Sequence, residues 1–86
     1  MPEISRFFGI RILMYYQDHQ PPHFHACYSG HRASIEIDSF AVAAGDLPGR
    51  ALGLVVEWAR LHRSELAEDW ERARRAQPLR PIDPLG

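Results

Sequence analysis

Three of the chain's five histidines, His19, His23 and His25, fall within the short run Asp18-His19-Gln20-Pro21-Pro22-His23-Phe24-His25-Ala26-Cys27-Tyr28. Histidine is the side chain whose ordinary pKa lies near neutrality, so a cluster of this kind suits proton transfer or metal binding. On a strand, His23 and His25 share one face and Phe24 takes the other. Pro21 and Pro22 stiffen the approach and mark where such a strand begins. What this run can do depends on what lies across from it, and that is set by the neighbouring elements.

The 86 residues, 45% hydrophobic and 24% charged, match one soluble domain with a single core. A net charge of −1 provides no overall basic field to attract nucleic acid. All ten basic residues are arginine, a side chain suited to bidentate contacts with carboxylate or phosphate. Cys27 is the only cysteine, which excludes an internal disulfide and suits a reducing cytoplasm. The apolar stretch Phe7 to Tyr16 is interrupted by Arg11. It reads as a strand, not as a signal peptide or membrane span, so a cytoplasmic protein with no membrane partner is expected.

Ile10, Ile12, Met14 and Tyr16 alternate with Arg11, Leu13 and Tyr15, predicting a strand over about 8–16. After a polar loop, strands are expected at 23–28 and 31–38, joined by Ser29-Gly30 as a two-residue turn, with a weaker strand at 40–44. Short turns between successive strands make an antiparallel meander of three to four strands. The Ser29-Gly30 turn also sets a register. Tyr28 pairs with His31, Cys27 with Arg32, Ala26 with Ala33, His25 with Ser34, Phe24 with Ile35 and His23 with Glu36. One face then holds Phe24, Ala26, Ala33, Ile35 and Ile37; the other holds His23, His25, Cys27, Arg32, Ser34 and Glu36. A one-residue slip would mix the two sets.

Beyond Asp46 the period becomes helical. Asp46 or Leu47 can serve as N-cap with Pro48 in the first turn. Leu52, Val55, Val56, Ala59, Leu66, Trp70 and Ala73 recur at spacings of three and four, predicting helix over about 48–76, unbroken or bent near Arg63-Ser64 as a helix pair. In the tail 77–86, Pro78, Pro81 and Pro84 recur every third residue, as do Leu79, Ile82 and Leu85. A polyproline-like strap would put those apolar residues on one edge. The whole reads as one α+β domain, residues 1–86, with the meander's apolar face under the helix.

Pro2-Glu3-Ile4-Ser5-Arg6-Phe7-Phe8-Gly9-Ile10, the block Asp18 to His25, Leu47-Pro48, Ala51-Leu52, Glu57-Trp58-Ala59, Leu61-His62, Trp70 and Pro78-Leu79 resemble a bacterial family, the domain of unknown function numbered 4160. The resemblance spans nearly the whole chain, and His-Gln-Pro-Pro-His-Phe-His is its most specific part. The family carries a basic residue where this chain has Gly49. The resemblance implies a small prokaryotic protein, often encoded beside another small family, number 2442, in an arrangement like a toxin–antitoxin pair. It implies no chemistry for particular residues.

Three functions fit the histidine face. As a component of such a pair, the chain would bind a small partner protein encoded nearby, or a second copy of itself, with the histidines holding the loop. As a metal-independent ribonuclease it would use His23 and His25 as acid and base, Glu36 to orient His23, and Arg32 for the phosphate of RNA. Arg11 and Tyr15 would lie on the same face. As a divalent metal site, with zinc the expected ion, it would use His19, His23 and His25. Cys27 reads as a filler on a half-exposed face, His31 as a structural residue on the core side, and His62 as a helix residue with a packing or capping role. Trp58 and Trp70 read as core or interface anchors. Arg72, Arg74 and Arg75 suit the negative end of the helix dipole.

Overall fold

The computed structural model describes residues 2–86. Five strands, β1 (Glu3–Phe7), β2 (Ile10–Leu13), β3 (His23–Tyr28), β4 (His31–Glu36) and β5 (Val42–Asp46), form one antiparallel sheet in the order of the sequence. Helices α1 (Gly49–Leu61) and α2 (Arg63–Arg74) follow. The α+β meander is as expected, but with five strands where three to four were expected.

The expected strand over 8–16 is in fact the second arm of a hairpin. Phe8 and Gly9 both take positive φ, 50° and 78°, the signature of a tight primed turn, and β1 runs back along β2 with Phe7 opposite Ile10. The phenylalanine pair hid this turn, because the first central position usually carries Asn, Asp or Gly. Ser29 and Gly30 repeat the geometry at φ 47° and 83°. There the β3–β4 register is the one derived from sequence at all six pairs, from Tyr28 opposite His31 to His23 opposite Glu36. β4 stops at Glu36, short of the expected Asp38, because Phe40 turns with φ 61° and donates its N–H to the Glu36 carbonyl at 2.9 Å. That turn also moves the last strand two residues along, to Val42–Asp46. Asp46 therefore lies in a strand, and Pro48 itself occupies the N-cap position, accepting the Leu52 N–H through its carbonyl.

The apolar face of the sheet is covered by both helices. Ile10, Ile12, Phe24, Ala26, Ala33 and Ile35 from the strands meet Ala51, Val55, Trp58, Ala59, Leu66 and Trp70. Trp58 is the centre, with ring contacts to Phe7 at 5.4 Å and Phe24 at 5.9 Å. The helix breaks at His62, one residue before the expected bend. His62 leaves helical geometry with ψ 27° and starts α2, and its ring packs on Trp58 while Nδ1 bonds Glu65 at 2.6 Å. Folding the helix in two lets both halves cover a sheet too short for one straight rod of about 40 Å. His31 departs from expectation: it pairs with Tyr28 beside the turn but is exposed.

The tail docks on the body. Ile82 is buried and donates its N–H to Ile4 in β1 at 2.8 Å, and Leu79 and Leu85 pack against the core on either side. Trp58 Nε1 donates to the Asp83 carbonyl at 2.8 Å, and Arg80 N–H to buried Asp69 at 2.9 Å. No described helix is long and apolar enough to cross a membrane.

Candidate metal centre

The loop between β2 and β3 folds back over the start of β3 and is held there from three sides. Gln17 donates its N–H to the Ala73 carbonyl near the end of α2 at 3.1 Å, and Pro22 accepts the Ile37 N–H at 3.1 Å. From α2, the Trp70 ring packs on His23 with centroids 5.3 Å apart. The second helix, far away in sequence, thus sets where the loop lies. Its Gln20–Pro21 bond is cis.

That placement brings Asp18 onto the two strand histidines. Asp18 Oδ2 lies 3.0 Å from His23 Nε2 and 3.4 Å from His25 Nε2, while Oδ1 accepts the His19 N–H at 2.8 Å. On the far sides of the rings, His23 Nδ1 meets the Pro21 carbonyl at 2.8 Å and His25 Nδ1 meets Ser34 Oγ at 3.2 Å. A carbonyl only accepts, so His23 Nδ1 carries a proton. A neutral His23 then points the lone pair of Nε2 at a carboxylate oxygen, acceptor against acceptor. The contact at 3.0 Å calls for a positive charge between them, either a second proton or a metal ion.

The surroundings favour ionised Asp18 and neutral His25. Burial alone pulls the Asp18 pKa upward, but the His19 N–H, the His25 hydrogen bond and the nearby His23 and His19 outweigh it and hold the carboxyl below its ordinary value. Burial pushes the His25 pKa below its ordinary value, with His23 adding to the effect and Asp18 opposing it. Leu13, opposite His25 in the sheet and itself buried, contributes to that apolar setting. Deprotonated carboxylate and neutral imidazole are the forms that bind metal. Each ring nitrogen aimed away from Asp18 has an oxygen partner, the usual way a protein orients a ligating histidine.

The facing ligand atoms of Asp18, His23 and His25 lie within 4.8 Å of one another. With metal–ligand bonds of about 2.0–2.2 Å, the separations of 3.0 and 3.4 Å from Asp18 Oδ2 correspond to angles of about 90° and about 110° at an ion shared with each histidine in turn.

Asp18 was not among the residues expected at this site, and it is Asp18, not His19, whose side chain meets both strand histidines. The His19 ring is exposed; it stacks on His23 at 5.0 Å, and its Nδ1 points at the Gln20 carbonyl. Glu36 pairs with His23 in the sheet, but its carboxylate accepts from Ser39 Oγ at 3.2 Å. Arg32 reaches over the Tyr15 ring, and Tyr15 meets His25 edge-on at 4.5 Å. Arg11 is held by Glu3 at 2.8 Å. The proposed acid–base pair, His23 and His25, is therefore together, but His23 is only 3% exposed and both its nitrogens are engaged. The signal for Asp18 in the sequence is its Asp-His dipeptide just before Pro-Pro, a polar residue in a loop, which the strand register cannot reach.

No curated protein and no solved structure matches the chain. A family model does match, over residues 9–71. The matched span contains Asp18, His23, His25 and Arg32 and leaves out β1 and the docked tail. The chain belongs to the family described as a domain of unknown function (DUF4160).

Proposed function

We propose that the chain binds a divalent cation, zinc by the nature of its ligands, through Asp18 Oδ2, His23 Nε2 and His25 Nε2. The observation that carries this reading is the convergence of two imidazole nitrogens on one carboxylate oxygen, with the His23 tautomer fixed by the Pro21 carbonyl. Two nitrogens and one oxygen leave a coordination position free, and a water held there would have its pKa lowered to about 7, the property used by zinc hydrolases. The chain's own contribution is orientation: Pro21 and Ser34 hold the rings, and Trp70 with Ala73 holds the loop that carries Asp18. Chelator-free purification followed by metal analysis tests the proposal. About one zinc per folded chain, lost in Asp18→Asn, is the expected result. No saturable zinc binding to the refolded wild type overturns it.

The setting for this centre is a toxin–antitoxin-like pair in the cytoplasm, with a small partner protein encoded nearby. The resemblance noted from the sequence supports this setting. So does β5, an edge strand with all five residues exposed, which leaves backbone groups free to pair with another strand. Size-exclusion chromatography with and without the neighbouring gene product checks it; two independent peaks would reject it.

A further inference from the structure

The row of residues across the sheet next to the metal centre runs Arg11, Cys27, Arg32, Asp46. Asp46 stands directly opposite Arg32, yet the two do not pair. The arginine ion pairs among the described residues are those of Arg6, Arg11, Arg72, Arg74 and Arg80. Arg32 turns the other way, toward β2, and lies over the Tyr15 ring with its guanidinium 5.6 Å from the centroid. Tyr15 in turn abuts His25. A cation stacked on an aromatic face keeps its in-plane N–H donors open.

Arg32 also lines a shallow groove of about 260 Å³, together with His25, Ser34, Ala44 and Gly45. The two β5 residues there are small, and Gly45, at φ 72°, lets β5 pass directly against the Arg32 backbone. The groove is therefore shared by an arginine with no ion-pair partner among the described residues and a histidine of the candidate centre. Of the acidic groups around it, Asp18 is bound to the histidines, Glu36 is bound to Ser39, and Asp46 stands across from Arg32. With the cation in place, the face offers two separated positive charges on either side of an open floor of small residues.

We infer that the metal centre takes a phosphate-bearing ligand, one phosphoryl oxyanion being held by Arg32 in the groove beside His25. This inference rests on the metal reading above. Phosphate fits because guanidinium donates to two of its oxygens at once, and because the second positive centre suits a ligand with more than one anionic oxygen. Nucleic acid and small phosphate esters share this chemistry, and an acidic chain with one free groove arginine favours a short contact over an extended one.

The test is isothermal titration of the zinc-loaded chain with inorganic phosphate, with zinc affinity measured separately for wild type and Arg32→Ala. Arg32→Ala should weaken phosphate binding by about tenfold or more, the scale of a lost charge-assisted hydrogen bond, with zinc affinity unchanged. Arg32→Lys should recover part of the phosphate affinity. Normal zinc binding with phosphate affinity that is absent, or that ignores Arg32, overturns this inference and leaves the metal reading standing. Failure of zinc to bind the wild type overturns the metal reading and this inference with it. Competition by a single-stranded RNA oligomer and by a mononucleotide then separates the sources. Either competitor displacing phosphate through Arg32 upholds the class, and displacement by neither overturns it.

Discussion

Replacing Asp18 with asparagine separates a metal centre from a structural histidine cluster. The substitution keeps the shape of the side chain and an oxygen for the His19 N–H, now 2.8 Å from Oδ1. It replaces the Oδ2 that meets both histidines, at 3.0 and 3.4 Å. At free zinc of about a hundred times the wild-type Kd, a site present only in the folded chain adds about 2.7 kcal/mol to stability. In a domain of 86 residues each kcal/mol moves Tm by about 4–8 °C, so the wild type should gain about 11–22 °C. Altering a group that merely supports a ligand costs up to about a hundredfold in metal affinity, and losing the ligand itself costs no less. The variant then meets zinc at about its own Kd, which adds only about 0.4 kcal/mol and about 2–3 °C. The assay is a melting curve with and without zinc for wild type, Asp18→Asn, His25→Gln and a control, His62→Gln, whose ring pairs with Glu65 away from the site. The control should keep the full shift. Equal shifts in wild type and Asp18→Asn, or no shift in the wild type, would refute the reasoning.

Three further outcomes follow from the packing. Ile82→Ala should cost about 2–5 kcal/mol, the range for emptying a buried aliphatic site, and urea unfolding would show it; a loss under about 0.5 kcal/mol would mean that the tail does not dock in solution. Gly45→Ala should destabilise by about 2 kcal/mol or more, because the new methyl would overlap the Arg32 carbonyl at a positive φ. A folded Gly45→Ala variant of unchanged stability would contradict the β4–β5 contact. Asp69 is buried, and burial raises its pKa against the opposing Arg80 N–H. A carboxyl with a raised folded-state pKa stabilises the fold fully below its unfolded value, about pH 4, and that contribution is lost as pH rises through the folded value. The stability of Asp69→Asn relative to wild type should therefore increase from about pH 4 to about pH 7. A difference in urea midpoint that stays flat across that window would refute the assignment.

The sequence alone determined the elements that answer to local rules. Ser29-Gly30 and the sorting of polar from apolar residues specified the β3–β4 register at every pair, because a one-residue slip would have turned the histidines into the core. The three- and four-residue spacing of Val55, Ala59, Leu66, Trp70 and Ala73 marked the buried helix face in the same way. The Phe8-Gly9 hairpin escaped because its turn lacks the usual residues, and the sequence left the helix either unbroken or bent near Arg63-Ser64 because packing on a short sheet, not any proline or glycine, decides the break. The site divides along the same line. His23 and His25 share a strand face by the two-residue period, which needs no tertiary contact. Asp18 reaches them only because Gln17 is bound to Ala73 and Trp70 lies on His23. Those contacts join the loop and the start of β3 to a helix more than 45 residues away, and no local spacing encodes them. The placement of Asp18 and not His19 against the two strand histidines, and of Tyr15 and not Asp46 against Arg32, therefore belonged to the tertiary structure alone.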